Sequence, residues 1–369
     1  MKVALMGRSL RGRYSGVVRY TDSLVRALAP HLQQDLMVFV TRSADGLDGV
    51  RVRRVRAPFP TPNEYARALW EQALVPIDVA RFHPDVYHSP NYILPMALRC
   101  PSVVTVHDLA FLDASLHRMR SHLYLTALTR RAIAKASRII CVSAYTRDRL
   151  ASTYPAARDR TRVIGEGVDD RFRPQPAALI AGFRTRFRID APYVLFVGVF
   201  EPRKNLERLV RAFELAMEQS GKDHLLVLAG ARGWKDESVL RSIETSALRD
   251  RIRVLGYVPE TDLAALYSGA DVFVYPSLHE GFGLPPLEAM ACGVPVVTSN
   301  VTSLPEVVGD AALCVDPCDV EAIASSIERL VTDASLRQRL VNAGIRRAAE
   351  FRWDRVAEKT LAVYREAAA

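Results

Sequence analysis

The chain has 369 residues, of which 49% are hydrophobic and 25% charged, and a formal net charge of +9. The length exceeds one ordinary domain, so two are expected, and the composition is that of a globular protein. No apolar run approaches the roughly eighteen residues of a membrane-spanning helix, Met1 to Arg8 reads as a first strand and turn instead of a signal peptide, and five scattered cysteines make no disulfide framework. Cys314 and Cys318 are four apart, but no His or further Cys completes a metal site. A reduced, cytoplasmic setting follows as the expectation.

In chain order, strands alternate with helices almost throughout, the pattern of parallel sheets with covering helices. Val3–Met6 is the first strand. Gly7 to Gly16 is a loop rich in Gly, Arg and Ser, and a helix spans about Val17 to Leu28. Further strands are predicted at Leu36 to Thr41, Val50 to Val55 (with Arg51, Arg53 and Arg54 facing outward), Val86 to His88, Ser102 to Val106 and Arg138 to Val142. Glu64 to Val79 reads as helical despite Pro76, and 121–136 as a helix. Ser143 is placed to cap the helix Ala144 to Tyr154. Gly165 to Pro176 combines Gly, Asp and Pro and reads as an interdomain linker.

Beyond it a second alternation starts. Strands are predicted at Tyr193 to Val197, Leu225 to Leu228, Ile252 to Leu255 and Asp271 to Tyr275, with helices at Leu206 to Glu218 and Asp262 to Ser268. Tyr275 to Pro295 then runs strand, Gly-rich loop, short helix and strand: Pro285 and Pro286 open the helix, and Gly293 ends it where a left-handed residue is wanted. Ser303-Leu-Pro-Glu306 has the spacing of a capping box. Three helical segments, Asp319 to Ala334, Ser335 to Phe351 and Trp353 to Ala368, close the chain. The basic excess sits in the first half: residues 1–170 hold 25 Lys and Arg against 15 Asp and Glu, and the remainder 25 against 26. Either an arginine-rich proteome or an anionic surface such as phospholipid explains it. Nucleic acid is not expected, because no basic cluster with interleaved aromatics is present.

In doubly wound sheets, ligands bind outside the carboxyl ends of the strands, and with two such domains the cleft between them is the default pocket. Four features lie at strand ends. The loop up to Gly16 opens a helix and could hold a phosphate. Arg203 and Lys204 precede a helix whose dipole opposes them unless an anion joins. His107 ends a strand and is either structural or functional. Glu280 and Glu288 frame the central stretch, about 12 Å apart at 1.5 Å per residue. That is too far for the carboxylate pair of a glycoside hydrolase and suits two separate acceptors for sugar and ribose hydroxyls.

These residues carry a resemblance. Glu280-x7-Glu288 within HEGFGLPPLEAMACGVPVV, with the glycine loop, His107, Arg203-Lys204-Asn205 and Phe351-Arg-Trp353, resembles the retaining glycosyltransferases of family 4, over almost the whole chain. The resemblance implies the α/β GT-B fold, two doubly wound Rossmann-like domains facing across a cleft. Residues 1–168 would bind the acceptor, 177–350 the nucleotide-sugar, and 353–369 would pack back on the first domain. It implies catalytic roles for His107 over the donor sugar and Glu280 on its hydroxyls. It implies donor binding by Gly16, Arg203, Lys204, Gly281, Phe282, Gly283 and Leu284, with Glu288 on the ribose. Many members have Gly-Arg where this chain has Gly198-Val199, so Arg203 is expected to supply that cation. No cofactor and no metal are implied, since fixed cations can do the metal's work. FVGVFEPRKN and His88-Ser-Pro-Asn-Tyr92 resemble bacterial polysaccharide mannosyltransferases. The implied activity is retaining transfer of a hexose, mannose from GDP-mannose, to a saccharide or lipid-linked acceptor in cell-surface polysaccharide synthesis. The setting would be cytoplasmic, with the inner membrane face as a peripheral site. UDP-glucose or UDP-N-acetylglucosamine as donor, or a GT-B-like sugar-nucleotide epimerase, are the alternatives.

Overall fold

Short apolar runs become the strands of this computed structural model, which describes residues 1–8, 10, 16–41, 47, 49–59, 64–110, 119–233 and 236–369. The chain divides into two compact units, Met1–Gly167 with Arg352–Ala369, and Val168–Phe351.

The first unit is built on β1 (Val3–Met6), β2 (Leu36–Val40), β3 (Arg53–Arg56), β4 (Val86–Ser89), β5 (Ser102–Val106), β6 (Arg138–Cys141) and β7 (Thr161–Val163). They pair parallel in the order β3-β2-β1-β4-β5-β6-β7. Central strands such as β1 and β5 are buried along their whole length, as a sheet covered on both faces requires. The strand order reverses between β1 and β4, so the carboxyl ends there form a topological switch point. The edge strand β3 starts later than Val50, and Arg54 does not simply face outward: its guanidinium donates to the Leu47 carbonyl.

The segment around Pro76 departs from a plain helix. Glu64–Leu69 is α-helical, Trp70–Leu74 widens into a π turn, and Val75–Phe82 is α-helical again, ending at His83 with φ 50°. Proline has no N–H to donate and its ring crowds the carbonyl four residues back. The wider turn just before it relieves both problems without ending the helix. Ser143 caps its helix as the sequence predicts, accepting from the Thr146 N–H.

The second unit carries β8 (Tyr193–Val197), β9 (Leu225–Ala229), β10 (Ile252–Gly256), β11 (Val272–Tyr275), β12 (Val296–Ser299) and β13 (Leu313–Val315), in the order β10-β9-β8-β11-β12-β13, all parallel. Its switch point lies between β8 and β11. Helices Ala177–Phe187 and Glu237–Glu244 were not legible in the sequence; neither has a side-chain cap at its start. Much of Gly165 to Pro176 is packed chain instead of free linker. Val168 N–H donates to the Phe351 carbonyl at 3.0 Å, Arg171 pairs with Glu260 at 2.6 Å, and Phe172 is buried edge-to-face with Tyr267.

The last helix, Trp353–Ala368, belongs to the first unit. Its Tyr364 hydroxyl sits 2.6 Å from Nδ1 of His88 on β4, and both side chains are fully buried.

Candidate functional site

At the second unit's switch point, two strand-end loops are stitched together before any side-chain chemistry is considered. After β8, a tight 3-10 turn, Pro202–Lys204, presents Arg203 and Lys204. Asn205 follows in the left-handed region, φ 62°, which Asn tolerates better than most residues. Its amide donates to the carbonyls of Pro276 at 3.0 Å and Pro317 at 2.6 Å, and Leu278 N–H donates to the Arg203 carbonyl at 2.8 Å. The cation turn is thereby fixed to the loop that follows β11.

That loop is held from below by three hydroxyls. Thr298 donates to the Tyr275 carbonyl at 2.9 Å, Ser299 to Ser277 at 2.7 Å, and Ser303 to both Glu280 at 3.1 Å and Phe282 at 2.8 Å. The last of these overturns the capping-box reading of Ser303. Its backbone is helical, φ −83°, and it caps nothing, because its hydroxyl is committed to the loop carbonyls. Gly283 has φ 122°, and a Cβ there would meet Leu304 Cδ2 at 2.7 Å, so only glycine fits. The helix Leu284–Ala291 ends in a Schellman closure: Val294 N–H reaches the Ala289 carbonyl across Gly293, φ 76°. Pro285 and Pro286 leave two of this helix's first four positions without an N–H, so its positive end acts more through its dipole than through direct donors.

On this frame the predicted residues Arg203, Lys204 and Glu280 come together. Lys204 Nζ donates to Glu280 Oε1 at 2.5 Å and to the Tyr275 hydroxyl. Arg203 Nη1 donates to Glu280 Oε2 at 3.1 Å and to the His279 carbonyl at 3.3 Å, while its Nε reaches Glu201 at 3.0 Å. Lys204 and Glu280 are 5% and 8% exposed, so this is a desolvated ion cluster. Burial, reinforced by the Arg203 charge, pushes the Lys204 ammonium down to about 8. Burial alone would raise the Glu280 carboxyl, but Lys204 and Arg203 outweigh it and bring it down to about 2. Burial, then the Glu280 charge, raises the Tyr275 phenol far above its usual range, so Tyr275 keeps its proton. Lys204 also lies over the Tyr275 ring, 4.7 Å from its centroid.

Glu288 is held by a different partner, the Tyr267 hydroxyl, at 3.0 Å from Oε2, and is 1% exposed. Gly281 and Phe282 are buried in the loop between the two glutamates and Leu284 at the start of the helix, with Phe282 edge-to-face on Phe351 at 5.9 Å. Sequence reasoning missed Tyr275 and Glu201 as members of the cluster. The only signal for Tyr275 was a hydroxyl-bearing aromatic at the last position of an apolar strand.

In the first unit, Gly16 opens the helix Gly16–Leu32, is exposed, and has open space where a side chain would be. Residues 11–15, including Gly12, lie outside the described residues. His107 follows β5 with both ring nitrogens engaged: Nε2 is 3.0 Å from the Pro90 carbonyl and Nδ1 3.1 Å from Glu166 Oε1. Tyr20 stacks edge-on against it at 4.6 Å, and the Tyr20 hydroxyl is 3.2 Å from Thr105 Oγ1, which is 2.9 Å from His88 Nε2. Among the described residues, no three of His, Cys, Asp and Glu gather as a metal site.

Two family models match, "Glycosyltransferase Family 4" over residues 14–172 and "Glycosyl transferases group 1" over 183–347. The O-antigen chain mannosyltransferase B of Escherichia coli is 36% identical over 76% of this chain and 74% of its own length. The serotype-specific mannosyltransferase WbdA of Escherichia coli is 31% identical over 78% of this chain, a match that spans only 38% of its own length. Among solved structures, sucrose-phosphate synthase from Thermosynechococcus elongatus superposes with a TM-score of 0.78 at 22% identity, over 99% of this chain and 98% of its own, a likeness of fold.

Proposed function

The chain belongs to glycosyltransferase family 4, with the GT-B fold of two Rossmann-like units, and on that premise we propose that it is a retaining mannosyltransferase. The donor is GDP-mannose and the acceptor a saccharide or lipid-linked saccharide, in the synthesis of a cell-surface polysaccharide. The observation that carries the donor site is the Arg203–Lys204–Glu280 cluster at the carboxyl ends of β8 and β11, in which Lys204 and Glu280 are buried. The similarity to mannosyltransferases that assemble O-antigen supports mannose.

When the bond from the sugar's anomeric carbon to the diphosphate breaks, negative charge builds on the departing diphosphate. Lys204 and Arg203 supply fixed positive charge against it in a site that excludes water, where such charge counts most. Burial holds Lys204, paired with Glu280, near 8, and a bound diphosphate would hold it fully protonated at neutral pH. Glu280 accepts hydrogen bonds from sugar hydroxyls, and Glu288 from the ribose. The backbone from Gly281 to Leu284 lines the diphosphate and sugar. The new bond forms on the same face of the sugar, and the acceptor's proton leaves with the diphosphate.

No described helix is long and apolar enough to cross a membrane. The basic first half favours peripheral contact with an anionic inner membrane face, and salt-sensitive sedimentation with anionic vesicles is the expected outcome. Donor identity is tested by thermal shift across GDP-, UDP- and ADP-sugars. A donor at one hundred times its Kd adds about 2.7 kcal/mol. GDP-mannose is expected to give the largest shift; a larger shift with UDP-glucose or UDP-N-acetylglucosamine reassigns the donor, and no shift with any rejects the reading.

A further inference from the structure

A histidine that accepts a proton needs a free nitrogen lone pair, and His107 offers none. Nε2 lies 3.0 Å from the Pro90 carbonyl oxygen, which can only accept, so Nε2 carries a proton. Nδ1 lies 3.1 Å from Glu166 Oε1, also an acceptor when ionised, so a second proton sits on that line. Glu166 is 5% exposed and comes from the stretch after β7 that the sequence presents as linker. Among the described residues, few other titratable groups face the ring. Tyr20 packs edge-on and burial holds its phenol protonated. His88 on β4 is kept neutral, pushed down to about 3 by burial and by His107. Asp108, the next residue, adds a second negative charge. Burial pushes His107 down, but Glu166, with Pro90 and Asp108, more than reverses this and leaves it above 6.5.

We propose that Glu166 is a positioning residue for sugar transfer: through the Pro90–His107–Glu166 clamp it keeps the His107 ring in one orientation and doubly protonated, the form that turnover uses, and never a proton acceptor. The clamp stands on the geometry of the first unit; its use in turnover rests on the glycosyltransferase reading.

The test compares wild type with Glu166→Gln, which removes the charge and keeps the size, and Glu166→Asp, which returns the charge at shorter reach. Two readouts are taken across pH: ¹⁵N-histidine NMR, with the His107 signal assigned by its loss in His107→Gln, and kcat for GDP release from GDP-mannose. The ring is expected to be doubly protonated at neutral pH in wild type. In Glu166→Gln its midpoint falls by about one unit or more, and the high-pH limb of kcat moves with it, so that activity drops about tenfold more at pH 8 than at pH 6. Glu166→Asp recovers part of both. A merely structural role lowers kcat equally at every pH. An unchanged ring titration in Glu166→Gln overturns the clamp, and a shifted titration with an unmoved kcat profile overturns its use in turnover. If wild type releases no nucleotide from any donor, the functional reading fails, and the NMR readout alone still decides the clamp.

Discussion

Burial of the Lys204–Glu280 pair perturbs both members, and the two effects on stability have opposite signs. Holding Glu280 near 2 against an ordinary 4.5 contributes about 3 kcal/mol, present above pH 4.5 and lost as pH falls through 2. Holding Lys204 near 8 against 10.5 costs about as much at neutral pH, and that cost disappears as pH rises through 10.5. Buried pairs commonly come out near this balance, and breaking one partner costs more than replacing both. Lys204→Met is therefore expected to destabilise by roughly 2–3 kcal/mol, and Lys204→Met with Glu280→Gln to return close to wild type while remaining inactive. Urea denaturation of the three proteins checks this; a double variant no more stable than the single one contradicts it.

At the scale of elements, the loop from Pro276 to Gly283 is shaped by residues far along the chain. Ser303 serves two of its carbonyls, and leaving buried acceptors unserved costs about 1–3 kcal/mol. Ser303→Ala is expected to lower stability by that amount and to raise KM for the donor, because the main chain carrying Glu280 loosens. Unchanged steady-state kinetics would show that the loop holds without it. The same contact marks the limit of reading the sequence. Strands such as VALM and VFVY, the Ser143 cap and the Gly293 closure are local, set by residues within a few positions, and were legible. Arg203, Lys204 and Glu280 were legible as chemistry, since two cations before a helix and an acid in a Gly loop are unusual. That they bond one another, that Ser303 serves the loop, and that Glu166 meets His107 were not, because those partners lie 21 to 77 residues apart. Pro76 shows the same limit within one helix, where the π turn is a response that propensity alone does not encode.

At the scale of the molecule, the two units carry titrating groups that respond to acid in different windows. His88, buried between Tyr364 of the last helix and Thr105, is held near 3 against an ordinary 6.5. A base held neutral in the fold loses stability as pH falls, here from 6.5 toward 3, by up to about 5 kcal/mol. His107 acts oppositely, its contribution being lost as pH rises through its raised value. Hydrogen exchange is expected to show β4 in the first unit losing protection between pH 6 and 5, while β11 in the second holds until below 4.5. Tyr364→Phe, which leaves His88 Nδ1 without the hydroxyl, is expected to lower protection in β4 alone; simultaneous acid-induced loss in both strands would contradict separate control.

The central claim is that the buried Glu280 cluster serves sugar transfer. Acceptor-dependent release of GDP from GDP-mannose, measured for wild type and Glu280→Gln at matched Tm, tests it most directly. Turnover in wild type and a fall of at least about 10³-fold in Glu280→Gln are predicted. A folded Glu280→Gln that turns over GDP-mannose at the wild-type rate would contradict it.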